Sequence, residues 1–288
     1  EIFGRGIVET AGDFGMQGDL PSHIELLDWL ALNFQENDWD IKHLIKTIML
    51  SATYRQSAQV SNKQLAIDPE NIYLSRAPRL RLPAELVKDH ILASSGLLNN
   101  EIGGPSVKTY QPDGIWEVAT SGRGSLAEYV QDHGDDLYRR GMYTFIKRTV
   151  PPPSMLMFDA SNRDQCEVQR LNTNTPLQAL IMLNDPHVLE ASRVLAEDLM
   201  TNSISIEERI ELAFQKIICR TISVAEKDLL TKYYQDELSH FQENEEAAQQ
   251  LLAVGEYKPA DLTYKASVAA MMQVIHTIYN MEEAIMKT

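Results

Sequence analysis

The sequence predicts a mainly α-helical protein, a multi-helix domain enclosing a long irregular, proline-rich central segment. Three observations carry that expectation. Apolar residues recur at helical spacing in several stretches, as at Leu27, Leu30, Ala31 and Phe34. Serine-to-glutamate capping signatures precede two of them, Ser205-Ile-Glu-Glu208 and Ser223-Val-Ala-Glu226. Residues 105–175 show no sustained period and carry three consecutive prolines, Pro151 to Pro153.

The elements follow in order. Residues 1–21, rich in glycine, read as an irregular lead-in. Ser22 and Glu25 match a capping box, which predicts a helix carrying the Leu27–Phe34 stripe. A second helix is expected after Asp38 or Asp40, with Ile41, Leu44, Ile45 and Ile48 on one face. Asp68-Pro69 should nucleate a short helical turn, and Pro83 should open a helix carrying Leu86, Val87, His90 and Ile91. Gly103-Gly104-Pro105 cannot continue it. Trp116 is the expected anchor of the segment that follows, and the triple proline should be extended.

From residue 176 to 288 the pattern is helical. Thr175-Pro176 and Asp185-Pro186 each start a helix. Further helices are expected at about 206–219 and 224–243, with a last one at about 261–286. The whole chain, 1–288, is expected to form a single domain, and its opening, Glu1-Ile-Phe-Gly-Arg5 with no initiator Met, reads as a cut through a longer protein.

Charge narrows the function classes. The 288 residues hold 26 Lys plus Arg against 41 Asp plus Glu, a net charge of −15, which opposes non-specific nucleic-acid binding. The sequence has no run of about 18 apolar residues that would span a membrane. Its two cysteines, Cys166 and Cys219, form no C-x-x-C or haem-attachment motif. No nucleotide-binding loop, nucleophile elbow or paired-histidine zinc motif occurs. His133-Gly-Asp-Asp136 lacks the rest of a calcium loop and reads as a solvated acidic turn.

Against the acidic background, residues 138–186 concentrate cations: Arg139, Arg140, Lys147, Arg148, Arg163 and Arg170. Such residues can hold a carboxylated or sulfated ligand by bidentate contacts. The plainer reading is that they pair with nearby carboxylates and supply partners to an irregular backbone. Asp159, Asp164 and Glu167 lie among them, and a carboxylate pair can do acid–base work, although capping and ion pairing are the commoner uses.

At this segment the chain meets a family. Ser51-Ala-Thr-Tyr-Arg-Gln-Ser57, Gly104-Pro-Ser-Val107, Tyr110-Gln-Pro-Asp-Gly114, Tyr143-Thr-Phe145 and Lys147-Arg-Thr149 come first. Pro151-Pro-Pro-Ser-Met155, Phe158-Asp-Ala160, Thr175-Pro-Leu-Gln-Ala-Leu180 and Leu183-Asn-Asp-Pro186 follow in the same order. With these motifs the chain resembles the C-terminal domain of unknown function, number 1553, of planctomycete-type cytochrome c domain-containing proteins. It departs from that pattern at Ile24, Ile146 and Asn172, the last removing an expected arginine.

The resemblance implies an extracytoplasmic protein, periplasmic or at the cell surface. Further domains would lie N-terminal to this one, haem being possible in a domain of that kind and no cofactor being expected in this chain. The function expected is an accessory or binding module of an exported cytochrome-linked protein, partnered by N-terminal domains of the same protein and binding an anionic ligand. The alternative is an extracytoplasmic enzyme acting on polysaccharide or another anionic substrate at 138–186. The candidate ligand-binding set is Arg55, Arg139, Arg140, Lys147, Arg148, Asp159, Arg170, Asn174, Gln178 and Asp185, with no catalytic residue or metal assigned.

Overall fold

The computed structural model describes residues 2–124, 126–161, 163–168, 170–201, 204–260 and 264–287. It is mainly α-helical, about 52% helix with little strand. The chain divides into two compact units: Glu1–Arg81 with Glu167–Gln169 and Met286–Thr288, and Leu82–Cys166 with Arg170–Ile285.

The first unit holds α1 (Ile24–Glu36), α2 (Ile41–Leu50) and α3 (Asn62–Ile67). Asp40 caps α2 by accepting from the Lys42 and His43 amides, as the sequence suggests. The Ser22–Glu25 capping box does not form. Ser22 Oγ donates to the Ile7 carbonyl instead, and α1 starts one residue late, on His23, with no side-chain cap. Asp68 is buried and accepts from the Ile72 and Tyr73 amides, closing a turn rather than starting a helix; the helix lies before it, as α3. A two-residue antiparallel ladder pairs β1 (Leu80–Arg81) with β2 (Met286–Lys287).

Among the described residues of this unit, Ala77 is the one buried hydrophobic side chain. Neither α1 nor α2 buries any residue. Trp29, Leu32, Trp39, Ile41 and Leu50 are each more than half exposed, at 51%, 57%, 63%, 63% and 63%.

The second unit carries the hydrophobic core. It comprises α4 (Ala84–Ser95), α5 (Ile115–Thr120), α6 (Pro153–Met157), α7 (Pro176–Asn184), α8 (Pro186–Thr201), α9 (Ile206–Ile218), α10 (Val224–Glu243), α11 (Glu245–Leu252) and α12 (Lys265–Tyr279). Serine caps start α9 and α10 where the sequence places them. α12 buries ten of its fifteen residues and packs against α8, α9, α10 and α11. The expected last helix, 261–286, is therefore shorter: residues 261–263 lie outside the described residues, and the chain leaves α12 at Asn280 for a short 3₁₀ turn, Glu282–Ile285.

The irregular segment is built into this core. Leu137, Tyr138, Met155 and Phe158 belong to the same buried cluster as α12. Trp116 is 1% exposed and anchors its stretch, as the sequence predicts. The triple proline is only partly extended. Pro152 sits at φ −57°, ψ 124°, and Pro153 then opens α6, because a proline at the first helical position forfeits no hydrogen bond.

Buried charge stiffens the unit. Arg193 on α8 is fully buried, ion-paired with Glu197 at 2.8 Å, and donates to the Tyr257 carbonyl at 2.6 Å. Glu190 is equally buried and accepts from the Tyr138 hydroxyl, the Tyr110 hydroxyl and the Tyr257 amide. Every charge in this set is partnered, which is the condition for burying one at tolerable cost.

Candidate functional site

A cavity of about 50 Å³ lies in the second unit between α4, α6, the 141–144 turn and the α7–α8 junction. Each wall has a local cause. Residues 141–144 run tight against α4: a Cβ on Gly141 would sit 2.6 Å from the Glu85 carbonyl oxygen, so glycine is needed there. The Gly141 amide donates to Asp89 Oδ1 at 2.6 Å, fixing the turn that carries Thr144. α6 brings Ser154 and Met155 to the wall. It is tied to α7 by Gln178, which is fully buried and donates to the Met157 carbonyl at 2.8 Å.

The α7–α8 junction supplies the charged wall. Asp185 ends α7 and caps α8; its Oδ1 accepts from the His187 amide at 2.9 Å and lies 3.1 Å from His187 Nδ1. A carboxylate at Nδ1 holds the imidazole in the tautomer that leaves Nε2 as the bare acceptor. Tyr110 packs edge-on against this ring at 4.7 Å, its own hydroxyl held by Glu190.

Three residues that line this cavity each carry a buried polar atom with no hydrogen-bond partner among the described residues: Lys88 Nζ, His187 Nε2 and Thr144 Oγ1. Each unsatisfied group costs about 1–3 kcal/mol, more when charged. Lys88 is half-buried as a residue, but its ammonium nitrogen is out of reach of solvent. Burial pushes that ammonium down to about 8, opposed by the charges of Asp185 and Asp89. Burial alone would raise the Asp185 carboxyl, but hydrogen bonds from His187 and the charge of Lys88 hold it below the usual carboxylate range.

A larger open groove of about 680 Å³ adjoins the cavity and shares Ser154, Ile181 and Asp185 with it. Its other walls are mainly apolar and include Tyr110, Pro112, Pro153 and Leu180. The motifs that carry the family resemblance thus meet here: Tyr110 to Pro112, Pro153-Ser154, Leu180, and Asn184 to Pro186 all line the groove.

Of the candidate ligand-binding residues named from the sequence, Asp185 alone lines the cavity. Arg139 is buried, donates to the Pro105 and Gly103 carbonyls, and stacks on Tyr143 at 4.1 Å. Arg140 faces Asn100 and Asp89, and Lys147 donates to the Leu126 carbonyl over the Trp116 ring. Arg170 pairs with Glu85 at 2.7 Å. Asp159 accepts from the Thr173 amide and hydroxyl, pinning the loop between α6 and α7. Gln178 is the α6–α7 tie. Arg148 and Asn174 are exposed, and Arg55 is an exposed residue of the first unit. Cys166 and Cys219 are both free and exposed.

Lys88, His187, Thr144 and Ser154 escaped the sequence reading as site residues. Ser154 sits inside the triple-proline motif, Thr144 inside Tyr143-Thr-Phe145, and His187 directly follows Asp185-Pro186, so the motifs marked their neighbourhood. Lys88 has no such signal. Among the described residues, no group of three His, Cys, Asp or Glu side chains is placed to hold a metal ion.

Fold and cavity define a class: a helical domain with a lysine-bearing cavity that adjoins an apolar groove. The chain belongs to the PSD1 family, proteins of unknown function (DUF1553), whose family model matches residues 1–234. The pocket residues lie within that match, whereas α11 and α12 lie beyond it. A search of curated proteins gives no match, and a search of solved structures gives none.

Proposed function

We propose that this domain is a ligand-binding module of a larger exported protein, and that it takes a small hydroxylated anion in the Lys88–Asp185–His187 cavity. One observation carries the reading: Lys88, His187 and Thr144 line a single cavity, and each holds a buried polar atom, Nζ, Nε2 and Oγ1, without a hydrogen-bond partner among the described residues. Near neutral pH the buried ammonium asks for a negatively charged acceptor. The bare Nε2 asks for a donor, and the threonine hydroxyl can serve either need. A carboxylate beside a hydroxyl offers both. A sugar acid at the end of a polysaccharide has that chemistry, with the apolar groove to receive the rest of the ligand.

An enzymatic reading uses the same atoms, since a carboxylate-oriented imidazole facing a cavity is the arrangement of a general base. The binding reading is tested by titration calorimetry with glycolate and glucuronate at pH 7. Saturable binding is expected, weakened by about tenfold or more in Lys88→Met, because a charge-assisted hydrogen bond is lost. Arg148→Ala should leave it unchanged. Absence of saturable heat, or equal binding by Lys88→Met, overturns the reading.

A second role is favoured by the first unit. Among its described residues Ala77 is the one buried hydrophobic side chain, and Trp29, Leu32 and Leu50 are exposed, so these residues form no core of their own. An apolar cavity of about 300 Å³ beside α1 and α2, lined by Phe3, Leu26, Trp29 and Ile48, adds to that surface. We infer that another domain of the same polypeptide covers it. A hydrophobic dye should bind this chain and be excluded from a polypeptide that includes the preceding domains. Equal dye binding by both contradicts the docking role. Among the described residues, no helix is long and apolar enough to cross a membrane.

A further inference from the structure

We propose that Lys88 is a covalent attachment point, its amine condensing with the carbonyl carbon of a small oxo-acid to form a Schiff base inside the cavity. The inference rests on the reading that this cavity takes a small ligand, and it adds a chemistry to it. Three observations support it. Lys88 is one of the residues lining the cavity, and its Nζ is buried and tied to no protein acceptor among the described residues. An amine held in an ion pair would have its lone pair blocked; this one is not so held.

His187 lines the same cavity, its Nε2 also without a partner among the described residues, and Asp185 fixes the ring from behind at 3.1 Å. Third, burial pushes the Lys88 ammonium down to about 8. On the order of a tenth of it is then free amine at pH 7, against about a thousandth for an ordinary lysine. The titratable groups around it are Asp185 and His187 at the α7–α8 junction and Asp89 on α4 itself. α6 and the 141–144 turn contribute Ser154 and Thr144, which are uncharged.

The step balances without an oxidant or reductant. The amine lone pair attacks the carbonyl carbon, and the carbonyl π electrons pass to oxygen, which takes a proton. The nitrogen sheds its protons as the carbon–nitrogen double bond forms, and the hydroxyl leaves as water. His187 Nε2 accepts a proton shed by nitrogen and returns one to the departing hydroxyl. The carboxylate of the oxo-acid is attracted by Lys88 while the lysine is still charged, and the remainder of a longer ligand extends into the groove.

The test is reductive trapping of the whole chain. Glyoxylate with cyanoborohydride at neutral pH would fix the imine as a carboxymethyl group, read by peptide mass mapping at limiting reagent. Lys88 should be modified about tenfold faster or more than exposed Lys63 and Lys232, following its larger fraction of free amine. Excess glycolate, which has no carbonyl, should protect Lys88 and spare the surface lysines, and His187→Gln should slow Lys88 modification selectively. Should Lys88 react no faster than Lys63 and Lys232 while glycolate still binds, the Schiff base is overturned and the binding pocket stands. Should glycolate also fail to bind, both fall.

Discussion

One carboxylate oxygen of Asp185 accepts the backbone amide of His187 at 2.9 Å and lies 3.1 Å from the Nδ1 of the same residue. A helix cap and an imidazole orientation therefore share one atom. Asp185→Ala should lower stability by about 2–4 kcal/mol in urea unfolding, through loss of the cap and of the counter-charge to Lys88. Asp185→Asn should cost less, since its side-chain oxygen can still cap. Because the Asp185 carboxyl is held below its ordinary range, its contribution is present above the unfolded carboxylate value and is lost as pH falls through the folded one. The wild type should therefore lose more stability than Asp185→Asn between pH 5 and pH 3. Parallel acid curves would contradict this.

Lys88 sets a pH dependence of the opposite sense. Its folded pKa of about 8 lies below the unfolded value, so folding at neutral pH works against its protonation. The penalty is complete below pH 8 and is relieved as pH rises towards the unfolded value. From pH 7 to 9.5 this term should raise stability by about 2 kcal/mol. Lys88→Met should be more stable than wild type at pH 7 and should lack that rise. Denaturant midpoints of the two proteins across this range measure it.

Gly141 tests the wall of the cavity. A methyl group there would stand 2.6 Å from the Glu85 carbonyl oxygen and 2.7 Å from its Cα, both backbone atoms that cannot swing away. Gly141→Ala should destabilise by about 1–3 kcal/mol, the usual cost of overpacking, and should weaken glycolate binding by displacing Thr144. Unchanged thermal unfolding would show that the turn yields freely.

Two arginines of the central segment should behave unlike each other. Arg139→Ala strands the Pro105 and Gly103 carbonyls and removes the stack on Tyr143, for a loss of about 2–4 kcal/mol. Arg148→Ala, at an exposed position, should shift stability by about 0.5 kcal/mol at most. Chemical unfolding of both variants decides it.

The helices were legible where a local rule acts alone. Asp40, Ser205, Ser223 and Asp185-Pro186 start helices because capping satisfies orphaned amides within a few residues. Ser22 obeys the same pattern and fails, since a tertiary acceptor, the Ile7 carbonyl, takes its hydroxyl. The extended triple proline and the long last helix went wrong for a related reason: Pro153 is as good a helix start as an extended residue, and the chain turns at Asn280.

The site was less legible than the fold. Arg139, Lys147 and Arg170, crowded in sequence, diverge in space, Arg139 and Lys147 to separate backbone carbonyls and Arg170 to a carboxylate. Lys88 looks like any surface lysine on an amphipathic helix. What distinguishes it is the burial of its terminal nitrogen by α6, the 141–144 turn and the α7–α8 junction, and no local pattern encodes that convergence.

The central claim is that the cavity at Lys88, Asp185 and His187 holds a small hydroxylated anion. The most direct measurement is a high-resolution crystal structure of the whole chain soaked in glycolate at pH 7. The account predicts one glycolate in the cavity, its carboxylate on Lys88 Nζ and its hydroxyl on His187 Nε2. Density for water alone in the cavity, with glycolate only at the surface, would contradict it.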